Sequence, residues 1–353
     1  MQLPPPPARS FASDNSAGAH PAIVDAVLAA NHGHAVAYGA DDWTRRCEAA
    51  FSELFGADVT TLLTFNGTGA NILALSGLLR PADAVICTAG AHIAVDETGA
   101  PERILGCKLI DVPAADGKLT PDHLDAQAHL LGNPHHVQPG VVSITQSTEL
   151  GTVYTVDEVG ALCDAAHRLG MTVHMDGARI ANATAALGGG ETTLRAFTRE
   201  AGVDAVTFGG TKNGLLGAEA VVFLRPVERA AYLRKQVNQL ASKMRFLAAQ
   251  FLALLDGDRW LQLATHANAM CAELYRATVD LPHVEMAPPE VNSVFPVLPP
   301  DVIEVLQAWS FFWDWEPSRH QVRWMTSWDT TIEDVRAFAE GVTRATAPAP
   351  AQN

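Results

Sequence analysis

The chain has 353 residues, of which 48% are hydrophobic and 18% are charged, and its formal net charge is −15. This length and hydrophobic content allow a substantial core, and we expect two domains. The acidic balance argues against nucleic acid or an anionic membrane surface as the main partner.

The sequence does not predict disulfides, a signal peptide or a membrane span. The five cysteines are scattered without a Cys-x-x-Cys pair, which is typical of reduced thiols and predicts a cytoplasmic location. The opening residues lack the apolar core of a signal peptide, and no run of about 18 apolar residues predicts a membrane span. Proline-rich and small-residue composition predicts disorder at residues 1–10 and 346–353.

Between about residue 20 and residue 225, apolar runs of strand length alternate with helical segments. This alternation predicts a mostly parallel, seven-stranded sheet covered by helices on both faces. Ligands of such sheets bind beyond the carboxyl ends of the strands. The predicted strands are 61–65, 83–87, 107–112, 141–145, 171–175, 204–208 and 219–224, and helices are predicted at 68–79, 121–131 and 157–169.

The last third of the chain reads differently. Residues 227–255 predict one long helix, or two with a kink, that connects a large domain (11–256) to a smaller α+β domain (257–345). Strands are predicted in the smaller domain at 293–298 and 321–326. The aromatic segment 309–315 predicts an edge strand or loop packed on that domain, with a substrate-lining or subunit-contact role as the alternative.

A carboxylate and a lysine follow two of the predicted strands. Asp176 comes directly after 171–175, and Lys212 stands in the glycine-rich turn after 204–208. Pyridoxal phosphate requires these two groups, because the amine forms a Schiff base with its aldehyde and the carboxylate keeps the pyridinium nitrogen protonated. Taken singly, Asp176 has the alternative of a helix N-cap and Lys212 that of a solvated loop lysine. Together they indicate an enzyme that breaks a bond at the Cα of an amino acid.

The segment FNGTGAN (65–71) follows a predicted strand and begins a predicted helix. Its backbone N–H groups and the Thr68 hydroxyl predict a phosphate cradle. Gly67 and Gly69 also fit the start of a dinucleotide fingerprint, but Ile72 occupies its third glycine position and the later acidic residue is missing. A monophosphate is therefore favoured over a dinucleotide, and an ordinary strand-to-helix turn is the remaining alternative.

Further motifs run along almost the whole chain, and as a set they are specific. They are ASDNSAG (12–18), AYGADDWT (37–44), FNGTGAN, GAH (90–92), QSTELGTVY (146–154), HMDGARIANA (174–183), FGGTKNG (208–214), QLASKMRF (239–246) and RWMTSWD (323–329). With these motifs the chain resembles the L-threonine aldolases, which are pyridoxal-phosphate enzymes of fold type I, and most of all their bacterial low-specificity branch.

The resemblance implies a set of cofactor-binding residues. Lys212 is expected to bind the cofactor covalently, and Asp176 to contact its ring nitrogen. His92 is expected to stack on the ring. The phosphate group is expected at Gly67 and Thr68.

Two further cofactor contacts are implied to cross a subunit interface. Tyr38 and Arg245 are expected near the phosphate of a neighbouring subunit. The resemblance thereby implies a homotetramer, built as a dimer of dimers, with active sites at the dimer interface.

The resemblance also implies how an amino-acid substrate is bound. Ser13 and Arg323 are expected to hold its carboxylate, a bidentate task suited to a guanidinium. Arg179 is expected at that carboxylate or at the cofactor hydroxyl. His136 is expected near the substrate hydroxyl. Asp96 stands where many relatives carry an aromatic residue beside the substrate side chain, which leaves side-chain preference and threo/erythro selectivity open.

The reaction implied by the resemblance is the reversible retro-aldol cleavage of L-threonine, L-allo-threonine and related β-hydroxy-α-amino acids to glycine and an aldehyde. The base is expected to be His92, His136 or a water held by one of them. The alternatives are a β-eliminating lyase, a phenylserine-preferring aldolase, a transaminase and a non-catalytic pyridoxal-binding regulatory module. The histidine pairs lack the i, i+4 spacing of a zinc motif, so no metal is expected.

Overall fold

The computed structural model describes residues 3–347. Contacts divide the chain into two compact units, one spanning Ala19–Leu261 and the other formed by the described residues up to Gly18 and from Gln262 onward. The predicted boundaries of 11–256 and 257–345 differ from this division mainly at the N-terminus. Phe11 is fully buried in the core of the second unit, which explains why the N-terminal residues belong to it.

Disorder was expected at residues 1–10, but residues of the described range 3–10 make specific contacts. The Arg9 side chain forms ion pairs with Asp329 and Asp334, and the Trp309 indole donates a hydrogen bond to the carbonyl of Pro4. These contacts hold residues that proline content alone had suggested to be free. Residues 1–2, and residues 348–353 of the predicted C-terminal tail, lie outside the described residues.

The larger unit contains a seven-stranded sheet in the order β1-β7-β6-β5-β4-β2-β3. Only β7 runs antiparallel to its neighbours in this sheet. All seven predicted strands are confirmed, with ends that differ by a few residues. The strands are β1 (Thr60–Thr64), β2 (Asp83–Thr88), β3 (Lys108–Val112), β4 (Gln138–Thr145), β5 (Thr172–Gly177), β6 (Ala205–Gly209) and β7 (Glu219–Phe223).

Helices cover both faces of this sheet. Successive side chains of a strand point to opposite faces. On β6 the Thr207 hydroxyl donates to Asn71 on one face, while Phe208 packs against Phe51 and Phe251 on the other. The helices are α1 (Pro21–Ala30), α2 (Asp42–Phe55), α3 (Gly67–Leu78), α4 (His92–Val95), α5 (Ala100–Leu105), α6 (Pro121–Gln127), α7 (Val156–Arg168), α8 (Ile180–Ala186), α9 (Gly190–Phe197), α10 (Ala230–Gln236) and α11 (Arg245–Leu255), and α12 (Arg259–Thr278) begins in this unit.

Of the two forms predicted for 227–255, one long helix or two with a kink, the structure shows two helices. Helices α10 and α11 are separated by residues 237–244, where Asn238 adopts the left-handed conformation with φ of 62°. The Gln239 side chain accepts a hydrogen bond from the N–H of Phe65 at 3.0 Å, and the Ser242 carbonyl accepts one from the N–H of Tyr38 at 2.9 Å. The break therefore places the Gln239 side chain against the turn that precedes α3 and the Ser242 carbonyl against Tyr38, between α1 and α2.

The smaller unit is built around a three-stranded antiparallel sheet in the order β8-β10-β9. Its strands are β8 (Ser293–Val294), β9 (Trp313–Glu316) and β10 (Gln321–Met325), and its further helices are α13 (Pro300–Trp309) and α14 (Ile332–Thr346). Both predicted strands are present, although 293–298 is regular only over its first two residues. Residues 313–315 of the aromatic segment belong to β9, an edge strand as predicted, whereas Trp309 ends α13. Among the described residues, no helix is both long and apolar enough to cross a membrane.

Candidate active site

The strand ends of the larger unit bring several polar residues to one edge. Thr145 at the end of β4 pairs with Asp176 on β5. Because β7 is reversed, its first residue, Glu219, pairs with Gly209 at the end of β6 and with Thr64 at the end of β1. The carboxyl edge of the sheet thus carries two buried acids, Asp176 and Glu219, from strands of opposite direction.

Asp176 is buried and fully hydrogen-bonded. One carboxylate oxygen accepts the side-chain N–H of Asn71 at 2.8 Å, and the other accepts the N–H of Ala178 at 2.9 Å. Burial by itself raises the pKa of a carboxyl group, but the charges of His174 and Lys212 and these hydrogen bonds outweigh it, and the net pKa of Asp176 is lowered. The side chain is therefore an ionised carboxylate that faces a cation.

Lys212 lies on a short 3-10 turn, Thr211–Asn213, directly after β6. Its turn is held from both sides: the Glu219 carboxylate accepts the N–H of Gly210 at 2.8 Å, and the Asn213 side chain donates to the carbonyl of Trp260 at 2.7 Å. Burial raises the pKa of Glu219, while the Lys212 charge acts in the opposite direction. Lys212 thus acts electrostatically on both buried acids of the edge.

The turns that carry Asp176 and Lys212 approach each other too closely for side chains. A Cβ atom at Gly209 would lie 2.2 Å from the carbonyl oxygen of Ala178, and one at Gly177 would lie 2.4 Å from the carbonyl oxygen of Thr207. Only glycine fits at these positions without moving backbone. The two glycines therefore fix the spacing between the carboxylate and the lysine.

The first turn of α3 presents backbone N–H groups at the same edge. The Asn66 side chain caps the helix by accepting the N–H of Gly69 at 2.7 Å. Gly67 and Thr68 occupy positions whose N–H groups have no acceptor within a helix, and no atom lies within 4 Å of where a Cβ on Gly67 would be. A helix N-terminus of this kind binds anions such as phosphate.

His92, at the start of α4, belongs to a network of buried groups. Its Nδ1 lies 2.9 Å from Oε1 of Glu97, and the Asn71 side chain donates to the same oxygen at 3.0 Å. Its backbone N–H donates to Glu149 at 2.8 Å. The hydrogen bond that His92 donates to Glu97 is the main cause of a raised pKa of His92, and Asp176 and Lys212 also act on it. The imidazole therefore belongs to the same electrostatic cluster as the carboxylate and the lysine.

Four residues of this edge were not predicted as site residues: Asn71, Glu97, Glu149 and Glu219. Asn71 stands in the FNGTGAN motif and Glu149 in QSTELGTVY, so both motifs pointed to the region without giving these side chains a role. Glu97 and Glu219 lie outside the motif residues that had a predicted role. Only the folded chain shows that these acids are buried beside the site, because a single sequence gives no measure of the burial of a charged residue.

These groups fit pyridoxal phosphate. An anion-binding helix N-terminus suits its phosphate, an ionised and buried carboxylate suits its pyridinium nitrogen, and a nearby lysine amine suits its aldehyde. The dinucleotide alternative fits less well, because Ile72 is buried in α3 where a small residue would be needed.

Two other predicted residues lie on the same edge. Arg179 is the N-cap residue of α8, three positions after Asp176. Asp96 is exposed and follows α4, where its N–H donates to the carbonyl of His92 at 2.9 Å. Arg179 thus lies near Asp176 in the chain and Asp96 near His92, and Asp96 is exposed to solvent.

Ser13 and Arg323 belong to the smaller unit, where the structure brings them together. The Arg323 guanidinium donates to the carbonyl of Ala12, next to Ser13, at 3.3 Å, and its Cζ lies 5.3 Å from the Trp315 ring centre. The Ser13 hydroxyl accepts the N–H of Asn15 at 3.2 Å. The guanidinium and the hydroxyl thus stand at neighbouring points of one unit.

Tyr38 and Arg245 make other contacts within their own chain. The ring of Tyr38 is 54% exposed and lies beneath the ammonium of Lys235. Arg245 begins α11 and donates to the carbonyl of Gly33 at 3.2 Å. The expected contacts of these residues with a phosphate concern a second subunit and stay a prediction.

The structure does not bring His136 to the edge that carries Asp176. His136 is exposed and lies two residues before β4, whereas the site lies beyond the other end of that strand, where Thr145 pairs with Asp176. The eight residues of β4 span more than about 20 Å. His136 therefore lies away from the site residues of its own chain, because its loop enters β4 at the opposite end, and its expected place near the substrate hydroxyl stays a prediction.

Comparison with known proteins identifies the family. Residues 10–299 match the family model described as beta-eliminating lyase. The low-specificity L-threonine aldolase of Pseudomonas aeruginosa is 43% identical over 340 residues, which cover 95% of this chain and 97% of the relative. The chain belongs to this family of lyases.

Two more members support the assignment. The low-specificity L-threonine aldolase of a Pseudomonas species is 43% identical over 95% of this chain and 97% of its own length. The solved structure of the Leishmania major threonine aldolase superimposes with a TM-score of 0.88 at 31% identity, covering 96% of this chain and 99% of the other. The predicted fold, that of the type I pyridoxal-phosphate enzymes, is thereby confirmed for this family member.

Proposed function

We propose that the protein cleaves L-threonine, L-allo-threonine and related β-hydroxy-α-amino acids to glycine and an aldehyde, reversibly and with pyridoxal phosphate. The observation that carries the proposal is the position of Lys212 beside the buried, ionised carboxylate of Asp176 at one edge of the sheet. The names of the Pseudomonas relatives, which match nearly the whole chain, support the same reaction.

Pyridoxal phosphate, when bound, supplies an electron sink for the bond that breaks at the substrate Cα. Asp176 holds a proton on the ring nitrogen, since its lowered pKa keeps it ionised opposite that nitrogen. The N–H groups of Gly67 and Thr68 bind the phosphate, with Tyr38 and Arg245 of a neighbouring subunit. Lys212 forms the covalent link to the aldehyde.

The remaining predicted residues orient the substrate. Arg323 and Ser13 bind the substrate carboxylate, and a guanidinium does so through two parallel hydrogen bonds. Arg179, at the start of α8, contacts the carboxylate or the cofactor hydroxyl. Asp96, exposed after α4, borders the substrate side chain. These residues would fix the substrate so that its Cα–Cβ bond is the one that breaks, with the cofactor supplying the electron sink.

His92 is the candidate for the base that takes the β-hydroxyl proton, either directly or through a water. His92 would contact the cofactor ring, and its place beside Asp176 and Lys212 supports it over His136, which lies at the other end of β4. Imidazole suits the task because the ordinary pKa of a histidine side chain lies near neutral pH. The proton leaves the hydroxyl oxygen as the Cα–Cβ bond breaks, and the aldehyde is released.

The assembly and location follow from the same proposal. The contacts assigned to Tyr38 and Arg245 require at least a dimer, and we propose a homotetramer built as a dimer of dimers. All five cysteines are free thiols, which supports a reducing compartment such as the cytoplasm.

The test is product analysis with the purified chain, pyridoxal phosphate and L-threonine. Equal amounts of glycine and acetaldehyde support the proposal. Release of ammonia and a 2-oxo acid instead would assign the chain to β-elimination, and amino transfer to an added 2-oxo acid would indicate a transaminase. The same assay with L-allo-threonine and phenylserine ranks the substrates.

A further inference from the structure

Glu97 is a buried acid that the mechanism described above does not use. It follows α4, and its side chain is 0% exposed. A buried carboxylate is costly unless hydrogen bonds compensate it. Both of its contacts fall on one oxygen, Oε1, which faces His92 and Asn71, whereas Oε2 is a buried oxygen without a hydrogen-bond partner among the described residues. This arrangement indicates that the Glu97 carboxylate does more than fill space in the core.

Asn71 connects Glu97 to the cofactor-binding carboxylate. Its side-chain nitrogen donates to Glu97 at 3.0 Å and to Asp176 at 2.8 Å, while its oxygen accepts the hydroxyl of Thr207 at 3.3 Å. Both N–H groups of the amide are therefore used. The opposite amide orientation would turn the oxygen towards two carboxylates, so the amide has one allowed orientation.

The contact with Glu97 decides which ring nitrogen of His92 carries the proton. Oε1 already accepts the side-chain N–H of Asn71 at 3.0 Å, and an oxygen in this acceptor role assigns the hydrogen to Nδ1 of His92, at 2.9 Å. In the neutral imidazole the other nitrogen, Nε2, then has the free electron pair. The carboxylate also fixes the plane of the ring, because the side chain of Glu97 is itself held by Asn71.

We propose that Glu97 is a positioning residue for the reaction, holding His92 in the tautomer whose Nε2 acts as the base, with Asn71 tying Glu97 to Asp176. This inference rests on the proposed role of His92 in aldol cleavage. The proton on Nε2 comes from the substrate hydroxyl and returns to solvent or to product, and Nδ1 keeps its own proton throughout. Glu97 touches neither substrate nor cofactor.

Other charged groups also act on His92, and the test must separate them from Glu97. Asp176 raises the pKa of His92 and Lys212 lowers it, while Glu149 accepts the backbone N–H of His92. Glu97→Gln leaves all three in place. It keeps an acceptor of the same length and removes only the charge. Glu102→Gln, at an exposed acid on α5, is the matched control.

The measurement is the pH dependence of His92 modification by diethyl pyrocarbonate, which reacts only with unprotonated imidazole, followed by mass spectrometry of the peptide. In the unaltered full-length chain the midpoint should lie above that of a reference peptide containing histidine. In Glu97→Gln it should fall by about one pH unit, whereas Glu102→Gln leaves it in place. This readout needs no catalysis, so it does not depend on the proposed reaction.

The rate profile provides the second readout. In Glu97→Gln the acidic limb of kcat/KM should move to lower pH in the same direction, and kcat should fall about tenfold. An unshifted midpoint in a folded Glu97→Gln protein would overturn the proposal. So would a midpoint in the unaltered chain that lies at or below that of the reference peptide, and this second check holds even where the variant does not fold.

Discussion

The guanidinium of Arg323 stacks on the indole of Trp315, with 5.3 Å between Cζ and the ring centre. Trp315 is in turn packed edge-on against Phe295, with ring centres 5.1 Å apart. The aromatic segment thus supports the guanidinium that is proposed to bind the substrate carboxylate. A cation–π contact of this kind contributes about 1 kcal/mol.

Trp315→Leu should therefore raise KM for L-threonine about fivefold, with kcat little changed, because the guanidinium loses a support and not a reacting group. Steady-state kinetics gives both constants. Trp313→Leu is the matched control, since Trp313 is 53% exposed on the same strand and contacts Phe311. Equal effects of the two substitutions would show that Trp315 has no special role in binding.

Lys212→Ala should remove the visible absorbance of the lysine-bound cofactor and reduce turnover at least about 10³-fold, because no other amine of the edge replaces the covalent link. Absorbance spectra and aldehyde release measure the two effects. Lys108→Ala, at an exposed lysine on β3, should change neither. Normal turnover in Lys212→Ala would refute the assignment of the cofactor site.

Gly209→Ala should destabilise the larger unit by about 1–3 kcal/mol or more, since the added methyl group meets the carbonyl of Ala178. Cofactor affinity should fall as well, because the turns of Asp176 and Lys212 are forced apart. Thermal unfolding and cofactor titration test both. Gly217→Ala is the control, as no atom lies within 4 Å of its added Cβ, and an equally stable Gly209→Ala protein would contradict the close approach.

His174 should make the fold sensitive to moderate acid. Burial lowers the pKa of His174 from its ordinary value to about 4. Below pH 6.5 this histidine is protonated in the unfolded chain but stays neutral in the folded chain. The free energy of unfolding is therefore little affected above pH 6.5 and falls progressively from there towards pH 4. Between pH 7 and pH 5 the loss is about 2 kcal/mol.

His174→Gln should flatten this part of the pH dependence, measured as the change in unfolding midpoint between pH 7 and pH 5. His129→Gln, at an exposed histidine, should not. The charge of Asp176 raises the pKa of His174 and so opposes the effect of burial, whereas the lowered pKa of Asp176 itself costs stability only below the ordinary value near 3.8. An equally steep acid dependence in His174→Gln would assign the effect to other groups.

The sequence contained the strands and the motif residues, but not the network between them. Alternation of apolar strands with helices is a local pattern, and it predicted all seven strands of the large sheet. The sequence left one long helix or two with a kink open over 227–255, and it could not decide between them because Gln239 meets the turn before α3, a contact between distant segments. Residues 3–10 were expected to be disordered, since composition does not show that Arg9 has two acids to bind.

The same limit applies to individual site residues. Asp176 and Lys212 were found because each directly follows a strand. Glu97 follows a short helix and Glu219 begins a reversed strand, so neither fits a pattern of residues after parallel strands. His136 was carried over from a resemblance between segments, and strand direction shows that its loop lies at the far end of β4.

The reversed direction of β7 has a mechanical consequence for the lysine. Strands β6 and β7 are adjacent and antiparallel, so the segment with Lys212 joins them at one edge and is anchored at both ends within a single sheet. The distance from the lysine amine to Asp176 then depends on the register of the two strands, which can change only by whole residues. The turn is also tied to α12 through the hydrogen bond from Asn213 to the carbonyl of Trp260, so the position of the lysine depends on both the sheet and this helix.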